Sequence, residues 1–461
     1  MAKEKTVNTA VKDEVGTAFK WFHATSVNGG AMLMAAVVAS YFSVYMTDTL
    51  KIPAAAASAI MFVATLWDAI NDPMMGVIAD RTKSRWGRYR PYLIPAPILL
   101  TLFSTLLWVN PNFPMAGKIA WVLICNIGVG MTVTMYTMPQ MSLLPACVKG
   151  TEERNTIIAM GAGVTAVAFT IANTFTLQIK AFLESAFGVS NGYIPMMLIC
   201  GGLACFSFWG LFATSKEKYI EKSTDRNAMQ DLKAILKHKE LAPYIIVWIM
   251  ASMGYGLMFA SSVYYVMYYL ARPDLIPVYM GIVSIGALVS MTVLMPIFLK
   301  IFKTGEKALV VSQTATIICY VILLFFGKSS LMLLYVVTFI ATAVASMQNG
   351  LVNVLVNDAI DYIQLKEGFS ANGVISSIKG FAQKCGGTVT NSGILAVLAA
   401  SGYIAGAIGQ QPESTLIALN FLRFGAPALT GIILLICLKF NPIDKYRDEI
   451  EEMKKKMTVE E

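Results

Sequence analysis

From residue 22 to residue 438 the chain alternates long apolar runs with short polar or Pro/Gly/Asn-rich breaks. Each run is long enough for a helix that crosses a bilayer, about 20 residues. The pattern predicts twelve helices, over 22–47, 54–79, 91–110, 117–140, 156–179, 192–214, 243–270, 276–300, 307–327, 330–357, 373–400 and 414–438. The sizeable internal polar gap is 215–242, and it divides the runs into two sets of six. The expected fold is an all-α membrane protein with twelve transmembrane helices in two six-helix bundles, 22–214 and 243–438. A tail (1–21), a central loop (215–242) and a second tail (439–461) complete the layout. Two such halves joined by a long loop match a transporter with its site between the halves.

Charge adds the orientation. On one side lie Lys3, Lys5, Lys12 and Lys20, the Arg81–Arg90 loop, Lys149 and Arg154, the basic central loop, Lys300, Lys303, Lys307, Lys366 and the C-terminal tail. The opposite side carries Lys51, Lys118, Lys180, Arg272 and Lys328. Positive residues collect on the cytoplasmic side, so both termini are expected there. The net charge of +8 then reflects topology, and nucleic acid is not an expected partner. Only 14% of residues are charged and 56% are hydrophobic, against about 25% charged in a soluble domain. The polar, mixed-charge N-terminus lacks the apolar core of a cleaved signal peptide. Two histidines far apart and seven scattered cysteines without C-x-x-C spacing give no metal or disulfide framework.

Against so few charges, those inside apolar runs stand out. A charged side chain at the bilayer centre costs at least about 2.5–3.5 kcal/mol, so intramembrane ionisable groups are functional candidates. Asp68 and Asp72 in WDAINDP are four apart and project from one helix face. Two carboxylates so close either share a proton or hold a cation. Asn71 adds a neutral oxygen, and such hard ligands suit Na⁺. Pairing with lysines on other helices, or a helix break at Pro73, is the plainer alternative. Lys384, beside Gln383, needs an acidic partner, for which Asp68 and Asp72 are available. Asn349, Asn353 and Asn357 align on one face of the tenth run, where they line a cavity or join helices. Asp80, Arg81, Arg85, Arg88 and Arg90 form a dense basic loop that anchors topology and is expected to act as a cytoplasmic gate. Tyr264, Tyr265, Tyr268 and Tyr269 read mainly as an aromatic belt at the outer interface.

The stretch WDAINDPMMGVIADRTKSRWGRYRPYL resembles the signature of the glycoside–pentoside–hexuronide:cation symporters, the melibiose-carrier family of the major facilitator superfamily. YMTD (45–48), PQMSLLPACVKGTEER (139–154), NDAIDY (357–362) and FAQKCGGTVTNSGILAVLAASGY (381–403) follow in the family's order. The resemblance implies the major facilitator fold, alternating access and uptake coupled to Na⁺, H⁺ or Li⁺. It assigns the cation site to Asp68, Asn71, Asp72 and Thr134, and the family's eleventh-helix lysine to Lys384. The sugar site departs from the pattern. The first helix has no acid, Thr137 stands at the fourth-helix acid position, no arginine lies near Ala162, and Gln140 and Met141 follow Pro139 where an aromatic is usual.

What remains for substrate is Asn28, Tyr136, Thr137, Gln140, Gln383, Asn353 and the charge of Lys384. The expected function is Na⁺- or H⁺-coupled symport of a glycoside or sugar acid into a bacterium, across its inner membrane. The protein is expected to act as a lipid-embedded monomer, with no cofactor beyond the coupling ion and no catalytic residues. A lysolipid, steroid-like or organic-acid cargo on the same scaffold is the first alternative. A membrane enzyme or sensor is the alternative of another class, and the sequence offers no catalytic cluster for it.

Overall fold

The computed structural model describes residues 15–219, 235, 237–302, 304–367, 372–446, 449–450 and 452. Lys3, Lys5, Lys12, most of the central loop and the end of the C-terminal tail lie outside the described residues, as does the Asp80 side chain.

Twelve helical rods run in the expected order. They are α1 Thr17–Thr49, α2 Ala54–Arg81, α3 Pro95–Leu106, α4 Met115–Cys147, α5 Thr151–Phe187 and α6 Tyr193–Thr214, then α7 Lys239–Tyr269, α8 Pro273–Phe302, α9 Gly305–Phe326, α10 Leu331–Glu367, α11 Asn372–Ala400 and α12 Glu413–Lys439. Several run a turn or more beyond their apolar stretch, α4 by continuing through Pro139 and Pro145. On α2 the lipid face is plain. Phe62, Leu66, Ile70, Met74 and Ile78 recur every fourth residue and are exposed, which places Asp68 and Asp72 on the opposite face.

The halves meet along three helix pairs, α2 with α11, α5 with α8, and α1 with α7. One hydrophobic cluster runs through both halves and includes Tyr45, Trp108, Tyr264 and Tyr268. A second, around Trp248, Leu351 and Tyr362, belongs to the second half alone. The ends of α1 and α7 repeat one local device. Tyr45–Thr49 and Tyr265–Tyr269 widen into π-turns, closed by Leu50 N–H to Tyr45 O (3.1 Å) and Leu270 N–H to Tyr265 O (3.0 Å). In each, the chain then reverses through a non-glycine residue of positive φ, Lys51 at 59° and Ala271 at 53°. Such residues are uncommon, so the matching pair marks the halves as structural repeats.

Candidate cation and substrate sites between the halves

Three helices from two halves build the acidic site. Asp72 on α2 accepts from Thr134 Oγ1 on α4 at 2.7 Å and is ion-paired to Lys384 on α11. Asp68, one turn earlier on α2, packs against the bare backbone of Gly130 on α4. A Cβ placed there would lie 2.0 Å from Asp68 Oδ1. That oxygen is buried and accepts no hydrogen bond, and Asn71 Nδ2 is likewise buried and unpartnered. A half-turn of the Asn71 amide would present its oxygen instead. Buried polar groups normally have partners, so these two orphans call for one. Two carboxylates and one ammonium leave the cluster one negative charge, which a bound monovalent cation cancels.

The other predicted residues fall at different places. Thr137 bonds to Val133 O (2.6 Å) within α4. Asn28 donates to Ala24 O at 3.0 Å and rests over Gly161 of α5. Gln140 is buried with its Nε2 3.2 Å from His23 Nε2, tying α4 to α1. The carbonyl of Gln383 accepts from Ser252 of α7 (2.7 Å). Asn353 is exposed and donates to Asn349 O at 3.0 Å. Tyr136 is not brought to this cluster: it is 4% exposed and packs edge-on to Phe208 of α6 at 5.1 Å.

The basic loop is tied to its own half. Backbone N–H groups of Arg88, Tyr89 and Arg90 converge on the Glu217 carboxylate at 2.8–3.1 Å. Arg90 Nη2 donates to Phe212 O (2.7 Å), and the Arg85 guanidinium lies over Trp86. Arg81 ends α2, exposed.

The tyrosines of α7 correct the belt reading. Tyr264, Tyr265 and Tyr268 are wholly buried, the first at the end of the α-helix and the other two within the π-turn, rather than facing lipid. Across the half boundary, Asp48 at the end of α1 accepts from the Tyr268 and Tyr403 hydroxyls, the latter at 2.6 Å. Thr47 Oγ1 lies 3.3 Å from the Tyr264 hydroxyl. Sequence reasoning gave Asp48 no role, although it is an acid at the end of an apolar run. It also passed over Lys379, whose Nζ donates to Asn353 Oδ1 at 2.7 Å. The rule that singled out Lys384 applied to both.

Residues 26–445 match the family model described as MFS/sugar transport protein. The uncharacterized symporter YnaJ of Bacillus subtilis is 27% identical over 93% of this chain and 92% of that one. The isoprimeverose transporter of Lactiplantibacillus pentosus is 25% identical, covering 89% and 85%. The glucuronide carrier protein homolog of Escherichia coli is 25% identical, covering 80% of each. Among solved structures, the inward-facing, unoccupied bacterial homolog of the human lysosomal transporter Spinster superposes with a TM-score of 0.67 at 12% identity, over 92% of this chain and 97% of that one. At those identities the likeness shows the fold alone.

Proposed function

The chain belongs to the MFS/sugar transport protein family, and on that premise we propose cation-coupled symport of a glycoside or sugar acid by alternating access. The protein is a membrane transporter and not an enzyme, and the expected symporter family and twelve-helix fold are borne out. The remainder of this reading is our proposal. The bundles span 22–214 and 243–438, both termini are cytoplasmic, and the membrane is a bacterial cytoplasmic membrane. Relatives named for isoprimeverose and for glucuronide support a sugar cargo.

One observation carries the coupling. The acidic cluster joins α2 and α4 of one half to α11 of the other, and it holds a buried carboxylate oxygen without a partner. Asp68 and Asp72 bind the cation, with Asn71 and Thr134 supplying neutral oxygens; this hard-oxygen set favours Na⁺. With the cation bound the cluster, Lys384 included, is neutral. Lys384 links the cation site to the substrate site, and each ligand raises affinity for the other. The Asp80–Arg90 loop acts at the cytoplasmic gate, held to its bundle by Glu217.

Uptake by cells expressing Asp72→Cys tests the assignment. Cation-driven accumulation should be lost while the protein still reaches the membrane; accumulation at the wild-type level would refute the site. Calorimetry of the purified protein with and without Na⁺, at two pH values, separates Na⁺ from H⁺ as the coupling ion.

A further inference from the structure

Lys379 lies five residues before Lys384 on α11, about 7.5 Å along the axis. The two lysines are in different electrical situations. The charge of Lys384 is matched by Asp72. Lys379 meets the neutral amide oxygen of Asn353 on α10, and no carboxylate among the described residues lies within ion-pair distance of it. Asn353 holds that oxygen in place by donating its own Nδ2 to Asn349 O.

Asn353 itself is exposed, while Leu351, Val352 and Leu355 of the same helix are fully buried in the second-half core. The Asn349–Asn353 face is therefore turned away from that core. Amides at membrane depth are tolerated where they meet protein or water, not lipid, and α11, which carries Lys379, packs along α2 of the first half. An ammonium inside a membrane protein that meets an amide and no carboxylate among the described residues is costly to keep, and such a group marks a substrate path.

We propose that Lys379, positioned by Asn353, binds the carboxylate of the substrate, so that the cargo is an anionic sugar acid rather than a neutral glycoside. This inference rests on the sugar-symport reading above. Hydrogen bonds to charged groups are strong enough to change affinity about tenfold to a hundredfold, so the preference should be large.

The test is calorimetry of the full-length protein in saturating Na⁺ with p-nitrophenyl β-glucuronide and p-nitrophenyl β-glucoside, which share an aglycone. The wild type should bind the glucuronide at least about tenfold more tightly. Lys379→Gln should weaken glucuronide binding about tenfold or more, leave the glucoside within about threefold, and keep the Na⁺-dependent thermal shift that reports an intact acidic cluster. Lys379→Arg should restore the preference, since it restores the charge. Equal affinity of the wild type for both sugars, or an unchanged preference in Lys379→Gln, overturns the inference and leaves sugar symport standing. Binding of neither sugar by the wild type overturns the symport reading and this inference with it.

Discussion

Gly130 shows how narrowly the acidic site is shaped at the level of single residues. Its missing side chain lets the Asp68 carboxylate press against α4, and a Cβ there would stand 2.0 Å from Asp68 Oδ1. Neither the helix backbone nor a carboxylate on a short side chain can yield that much in a packed interior. Gly130→Ala should therefore turn Asp68 out of the cluster and lower Na⁺ affinity by about tenfold or more, the loss of one charge-assisted ligand. The helix propensity gained over glycine, about 1 kcal/mol, offsets only part of the overpacking cost. Sodium titration followed by tryptophan fluorescence, with thermal melting as the folding control, reads both effects. Undiminished Na⁺ affinity would detach Asp68 from the ion. Tyr136 gives the opposite expectation, because its ring is packed against Phe208 within the first bundle. Tyr136→Phe should leave substrate affinity within about twofold, since the ring that packs on Phe208 is kept and the hydroxyl removed is no ligand; a loss of tenfold or more in calorimetry would return Tyr136 to the site.

At the scale of elements, the ends of α1 and α7 carry the contact that closes one face of the molecule. Asp48 receives hydroxyls from Tyr268 and Tyr403 of the second half, and Gly406 N–H donates in turn to the Tyr268 oxygen at 3.0 Å. Burial and the adjacent Asp48 carboxylate push the Tyr403 hydroxyl far above the ordinary tyrosine range, so it stays protonated and donating through pH 10. Hydrogen bonds to a carboxylate contribute about 1.5–3 kcal/mol each. Asp48→Asn should therefore raise the population open on this face about tenfold or more. Nitroxides on cysteines placed at Lys51 and Arg272, in a background without native cysteines, would show a longer distance component; an unchanged distribution would mean that packing alone holds the face shut. Ten of the rods among the described residues are long and apolar enough to cross a membrane, and these were legible because a bilayer imposes length and apolarity. The other two, α3 of 12 residues and α11 with Lys379 and Lys384 inside it, were legible from the polar breaks around them. Asp68, Asp72 and Lys384 were legible because a charge in an apolar run is conspicuous. The latch was not, because its geometry depends on two π-turns that take Asp48 and Tyr268 out of the α-helical register. No hydrophobic period announces such a turn, and a row of tyrosines near a helix end looks like an interfacial belt until the turn is seen.

For the whole molecule the controlling quantity is charge moved through a low-dielectric interior. Asp68, Asp72 and Lys384 together carry one negative charge, and Lys379 carries one positive charge that, among the described residues, meets the amide of Asn353. Filled by one monovalent cation and one monoanionic sugar acid, the acidic cluster and the Lys379 station are each neutral, so the loaded halves rock without carrying net charge. An applied potential of 100 mV acts on each unit charge with about 2.3 kcal/mol, roughly a fiftyfold effect on accumulation where one net charge crosses. Sodium-driven uptake of a glucuronide into proteoliposomes should then be unchanged when a potassium diffusion potential of about 100 mV, negative inside, is imposed with valinomycin. A neutral glycoside carried with the same Na⁺ moves one positive charge, and its accumulation should rise steeply under the same potential. Glucuronide uptake that climbs with the potential would mean that more than one cation accompanies each anion, and that the acidic cluster holds more positive charge than its two aspartates and one lysine can balance.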